Sequence, residues 1–193
     1  MNGKSDSALM QELQAGNKTA LDILMQRWET PIKAYIYRFT QAPDWVDELA
    51  QETFVKVYIH ATEFDTSRRF SPWIYAIATN LCRNWRRWRM RHPSLPSEHS
   101  VESLENDPVN GDTSAPPLPS VQLEQNESRE AVKRAIAELP DVLKSTLILY
   151  YYQGLSYEEI AEMLRCSRRG VETRLYRARR LLQPRLSKWS RVG

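Results

Sequence analysis

Cysteine is scarce in this chain of 193 residues, occurring only at positions 82 and 166. Neither Cys82 nor Cys166 sits in a CxxC or HxxxC spacing, so the sequence offers no disulfide framework and no metal-ligand set. His60, His92 and His99 are scattered and supply none either. Long apolar runs are missing too: none approaches the roughly 20 residues needed to cross a bilayer. The first residues, MNGKSDSALMQELQAG, lack the apolar core of a signal peptide. A cytoplasmic protein with reduced thiols and no membrane insertion is the expectation. No stretch alternates in the manner of a strand, and no segment repeats. Also absent are a carboxylate cluster and a nucleophile–base arrangement, so no catalytic residue, no metal and no cofactor is expected, and the chain does not read as an enzyme.

Charge, by contrast, is plentiful and arranged in blocks. Residues 1–92 carry 13 Lys/Arg against 10 Asp/Glu, residues 93–130 carry 1 against 8, and residues 131–193 carry 13 against 6. The overall +3 therefore conceals a basic–acidic–basic order, which suggests two contacts with a polyanion. The acidic block includes HPSLPSEHSVESLENDPVNGDTSAPPLPS, rich in Pro and Ser and without periodicity. Residues 93–128 accordingly read as a disordered or extended linker. The fold expected is all-α: two small helical domains, 1–92 and 129–193, on a flexible acidic tether.

Within the first domain, residues 6–40 read as helix, broken at Gly16-Asn17. Pro43-Asp44 opens the next helix with Asp44 as its N-cap. Val46, Leu49, Ala50, Thr53, Phe54 and Val57 form its inner stripe, which leaves Asp47, Glu48, Gln51 and Glu52 outside. After the loop EFDTSRRF, Ser71 as N-cap and Pro72 at the first helical position start a helix over 72–91. Trp73, Ile77, Leu81 and Trp88 share one stripe there, with Trp73 and Trp88 assigned to the core. Tyr75, Thr79, Arg83 and Arg86 lie opposite. Five arginines fall within nine residues at 83–91 and repel one another unless a polyanion relieves them.

Ala131, Val132, Ala135, Ile136 and Leu139 open the second domain. Its most informative stretch is ELPDVLKSTLILYYYQGLSYEEIAEMLRCSRRGVETRLYRARRLL, residues 138–182. Gly154 follows an apolar helical run, where a helix ends on a left-handed residue. Ser156 and Glu159 have the spacing of a capping box, and Ile160, Ala161 and Leu164 supply the buried stripe of a short helix. Ser167 caps the next helix, in which Val171, Leu175, Ala178 and Leu182 recur at helical spacing. The opposite face carries Arg169, Thr173, Tyr176, Arg177 and Arg180. This is a helix-turn-helix that buries one side and presents arginines on the other, an arrangement suited to a major groove. Glu172 can accept from a cytosine amino group. Gly170 costs a helix about 1 kcal/mol relative to Ala and leaves room for close approach.

Two of these stretches resemble one family. DWVDELAQETFVKVY followed by FSPWIYAIATNLCRNWRRWR is similar to the promoter-opening domain of extracytoplasmic-function (group IV) sigma factors, and LPDVLKSTLILYYYQGLSYEEIAEMLRCSRRGVETRLYRARRLL to their C-terminal helix-turn-helix domain. The resemblance implies an alternative sigma factor that binds core RNA polymerase, through the β′ clamp helices and β, and directs initiation at its own promoters under an anti-sigma partner. It places Asp47, Glu48, Gln51 and Glu52 on the clamp helices. Loop 62–71 becomes the pocket for a base flipped from the minus-ten element, with Phe64, Arg68, Arg69 and Phe70 beside it. Asn80, Arg83 and Arg86 would track minus-ten DNA. Arg168, Arg169, Glu172, Thr173, Tyr176, Arg177 and Arg180 would meet the minus-thirty-five element, with Arg169 and Thr173 nearest the bases. Gly170 stands where the family commonly has Thr, and Glu172 where Lys is frequent. A regulator that binds operator DNA alone would explain the helix-turn-helix but give the acidic and Trp/Arg helices no use.

Overall fold

The computed structural model of the chain describes residues 3–92 and 119–187. Among these residues the secondary structure is helical throughout: α1 (Asp6–Gln14), α2 (Thr19–Thr40), α3 (Val46–Ile59), α4 (Phe70–Arg91), α5 (Pro119–Ala137), α6 (Asp141–Tyr151), α7 (Tyr157–Met163) and α8 (Arg168–Leu186). Ser5 caps α1 by accepting the Ala8 N–H, and Gly16, at φ +95°, takes the chain out of it, so the expected break falls at Gly16-Asn17. The α3 stripe of Val46, Leu49, Ala50, Thr53, Phe54 and Val57 is buried as the periodicity requires. It packs against α2 and α4, and α1 closes over α2.

Four expectations are corrected. Asp44 does not cap α3. Pro43 starts a single 3-10 turn (Pro43–Trp45) that feeds directly into the helix, so Trp45 occupies the cap position and Asp44 Oδ1 is buried without a hydrogen-bond partner. Helix α4 begins at Phe70 with Arg69 before it, extended at φ −68° and ψ 135°. Ser71 and Pro72 fall inside the first turn, where helix N–H groups have no intrahelical acceptor and proline loses nothing. On α4 the inward face is Phe70, Ile74, Tyr75, Ala78, Thr79, Leu81 and Cys82, so Tyr75 and Thr79 are core, whereas Trp73 and Trp88 are only half-buried. The reason is the hydrogen bond of 2.7 Å between the Tyr35 and Thr79 hydroxyls, which lets polar side chains sit in the interior. Finally, helix α5 starts at Pro119, inside the span expected to be linker; VQLEQNESREAV contains no further proline or glycine to stop it. The remainder of the expected linker, 93–118, lies outside the described residues.

In the second domain α6 and α7 pack on α8. Gly154 adopts φ +63° at the end of α6, and Ser156 and Glu159 form the reciprocal capping box at the start of α7. The turn into α8 passes through Arg165 at φ +48°, a left-handed non-glycine residue that no sequence signal marked. The two domains share one contiguous apolar core, in which α6 lies against α2 and α7 against α4.

Candidate nucleic-acid interfaces

Helix α8 is anchored by Val171, Leu175 and Ala178, all buried. Ser167 Oγ accepts the Gly170 N–H at 3.0 Å and fixes the start of the helix. On the outer side Arg168, Arg169, Glu172, Thr173, Tyr176, Arg177 and Arg180 are all exposed, so the helix presents the face its periodicity predicts. Thr173 donates its hydroxyl to the Arg169 carbonyl at 2.8 Å, which leaves the methyl and the oxygen lone pairs outward. Arg168 forms an ion pair with Glu158 at 2.6 Å and lies over the Tyr157 ring. Arg179 donates to the Tyr151 hydroxyl at 2.8 Å and braces α8 against α6. A stiff helix carrying four arginines, a threonine and a tyrosine beyond its buried stripe has the form that reads a major groove.

The second basic element is α4 with the loop before it. Asp65 accepts both the backbone N–H and the hydroxyl of Ser67, at 3.0 and 2.6 Å, and these bonds hold its carboxyl below the usual range. Phe64 and Phe70 are not available to stack on a captured base in this arrangement. They are 4% and 2% exposed and meet edge to face at 5.8 Å, with Trp73 against both. The apolar cluster that shapes the loop consumes them. Arg68, Arg69 and Asn80 are exposed, and Arg83 and Arg86 are partly covered.

The partners of these arginines were not foreseen. Arg68 pairs with Glu162, Arg69 with Glu159 and Arg86 with Asp141, while Arg83 Nη2 donates to Ser145 Oγ at 2.9 Å. Each partner belongs to α6 or α7. Burial works to raise the Glu159 carboxyl, but its bonds to Ser156 and the nearby Arg69 leave it lowered overall. Lys144 of α6 is 2% exposed and donates to the Ala137 and Phe39 carbonyls at 2.6 and 3.3 Å. Burial, and secondarily Arg86, pulls its ammonium down to about 8 against the pull of Asp141. A lysine inside the apolar run VLKSTLIL was the available signal for such a role.

On α3, Asp47, Glu48, Gln51 and Glu52 are exposed as expected, and Asp47 also pairs with Lys33 at 2.9 Å. Glu48 and Glu52 edge a cleft of about 420 Å³ whose aromatic wall is Trp45, Trp85 and Trp88. Among the described residues no group of His, Cys, Asp and Glu could hold a metal ion, and no helix is long and apolar enough to cross a membrane.

Residues 24–92 match the family described as Sigma-70 region 2, and residues 129–182 the one described as Sigma-70, region 4. The ECF RNA polymerase sigma-E factor of Haemophilus influenzae is 30% identical over 183 residues, covering 94% of this chain and 95% of that protein. The chain belongs to the ECF RNA polymerase sigma factors. The RNA polymerase sigma-H factor of Pseudomonas aeruginosa is 32% identical to this sigma factor over 189 residues, 95% of this chain and 96% of the relative. In fold it is similar to CnrH, solved with the cytosolic domain of CnrY, at a TM-score of 0.69 and 23% identity over 96% of this chain and 99% of the other. It is also similar to the sigma factor RpoE of Bartonella quintana, solved with the anti-sigma factor NepR, at 0.63 and 21% over 86% and 96%. Like its family, this sigma factor is a transcription initiation factor that works with RNA polymerase at promoter DNA.

Proposed function

We propose that the chain divides initiation among three surfaces. Asp47, Glu48, Gln51 and Glu52 on α3 dock on the basic clamp helices of the polymerase β′ subunit. Loop residues Arg68 and Arg69 with Asn80, Arg83 and Arg86 of α4 hold the melted minus-ten strand. The outer face of α8 reads the minus-thirty-five element, with Arg169 and Thr173 toward the bases and Arg177 and Arg180 toward phosphates. The protein acts where polymerase acts, in the cytoplasm, and performs no chemistry of its own. The observation that carries this reading is the outer face of α8, whose arginines stand opposite a fully buried Val171–Leu175–Ala178 stripe. Restraint by an anti-sigma factor is supported by the anti-sigma complex of the similarly folded Bartonella quintana protein.

Polymerase docking is tested by competing the purified chain with a housekeeping sigma factor for core polymerase. The wild type displaces the competitor. Asp47→Lys with Glu48→Lys reverses the charge facing the clamp helices and weakens binding by roughly a hundredfold or more, as expected for lost charge complementarity at a docking helix. Wild-type displacement undiminished in the variant refutes the α3 assignment. A chain that binds operator DNA tightly without polymerase refutes the division of labour as a whole.

A further inference from the structure

The loop between α3 and α4 is held from outside, by α1. Ser7, Gln11 and Gln14 recur at i, i+4 and i+7 and so share one stripe of α1, beside the buried side formed by Leu9, Met10 and Leu13. The loop runs back along that stripe. Gln14 Nε2 donates to the carbonyls of Ala61 and Phe64, at 2.9 and 2.8 Å. Gln11 Nε2 donates to Thr66 Oγ1 at 3.3 Å, and Ser7 Oγ to the Arg68 carbonyl at 3.2 Å. Each step toward the start of α1 is thus a step toward the end of the loop. The loop supplies only part of its own order: the Arg68 N–H bonds to the Asp65 carbonyl at 3.0 Å, and the Asp65 carboxylate ties down Ser67. None of the three polar side chains secures α1 itself, which is capped by Ser5 and buried through its apolar side.

With Phe64 and Phe70 buried, whatever this loop does to a base falls to its main chain and its polar side chains. Recognition by such groups is only as selective as their placement is tight, within about 0.5 Å for a preorganised site. We propose that α1 sets base selectivity at the minus-ten element from outside the DNA contact, and that Gln14 is its positioning residue. Gln14 acts through the loop and not by contact with DNA. By fixing two carbonyls at once it sets the direction in which the chain leaves α3 and enters the turn at Asp65–Arg68. A loop fixed before the base arrives loses little further freedom on capturing it, and it does not reshape itself around a wrong one. The inference rests on the assignment of this loop to a flipped minus-ten base.

The test uses holoenzyme assembled from the full chain and core polymerase, with a pool of single-stranded oligonucleotides randomised over the length of a minus-ten element. Sequencing the bound fraction gives the base preference at each position. The wild type enriches one base strongly at the position taken by the loop. Gln14→Leu keeps the bulk of the side chain and removes its donor. The preference at that position alone falls by roughly fivefold to tenfold, as for two lost hydrogen bonds to backbone carbonyls. Affinity for the unselected pool changes by less than about twofold, because the phosphate contacts are untouched. Gln14→Lys, whose ammonium donates to the same carbonyls, restores the preference. Should Gln14→Leu misfold, and so fail to displace a housekeeping sigma factor from core polymerase, Ser7→Ala with Gln11→Ala gives the same selective loss at reduced size. An unchanged preference in Gln14→Leu, a loss spread evenly over all positions, or the same loss in Gln14→Lys overturns the proposal. A wild type that enriches no base at any position refutes the assignment of the loop itself, and the proposal falls with it.

Discussion

At the scale of single residues Lys144 is a charged group held in the interior. Its ammonium is buried, faces Arg86 from α4, and is compensated by Asp141 and two carbonyls. Burial depresses its pKa to about 8, whereas in an open or unfolded chain it titrates near 10.5. Below pH 8 the proton is held in both states and the folded form carries the whole cost of the buried charge, roughly 3 kcal/mol. Between pH 8 and 10.5 the folded form has released the proton and the unfolded form has not, so this cost fades as pH rises. Denaturant unfolding of wild type and Lys144→Met across that window checks the sign. The stability of the wild type relative to the variant rises with pH and levels off above about 10.5. Buried Cys82 and Tyr75, whose folded pKa values lie above their ordinary ones, are common to both proteins and drop out of the difference.

At the scale of elements, α8 poses the clearest question. A Cβ on Gly170 would meet Ser167 Oγ at 3.4 Å and Cys166 Cβ at 3.5 Å, ordinary contact distances with room to fit. Gly170→Ala is therefore expected to stabilise the chain by about 0.5–1 kcal/mol in thermal unfolding. If glycine is kept for close approach to DNA, the same change lowers promoter affinity of the holoenzyme while raising stability. Helices such as α3 and α8 were legible because one face is buried and the other is wet, and periodicity records that division. Caps at Ser156 and Ser167 and the left-handed Gly154 were legible because only a few residue types meet those backbone demands. The inward turn of Tyr75 and Thr79 was not, since α4 packs on more than one neighbour and a hydroxyl pair makes polar residues admissible in a core. Nor was the loss of Phe64 and Phe70 to the interior, because an aromatic residue in a loop looks the same whether it stacks on a base or on its own chain. Asp44 failed as a cap because the 3-10 turn begun at Pro43 shifted the register by one residue.

At the scale of the whole molecule, the pairing of domains left no trace in the sequence. Arg69 and Glu159 lie 90 positions apart and Arg86 and Asp141 55 apart, and no local pattern encodes a partner at such distances. Composition did show two basic domains separated by an acidic stretch, and hence two contacts with a polyanion. It could not show that the acids at Asp141, Glu159 and Glu162 are spent on the other domain. The buried thiol of α4 also gives the chain a chemical clock. Cys82 lies on the inward face of α4, fully buried, near enough to Asp141 of α6 that the carboxylate adds to the effect of burial in keeping the thiol protonated. Its alkylation by a thiol reagent must wait for the packing around α4 to open, while half-buried Cys166 reacts without that wait. Counted by mass spectrometry, the Cys82 modification is expected to lag well behind that of Cys166 and to accelerate in mild denaturant as local opening becomes more frequent. The lag of one sulfur behind the other then measures how often the factor, left to itself, comes unfastened.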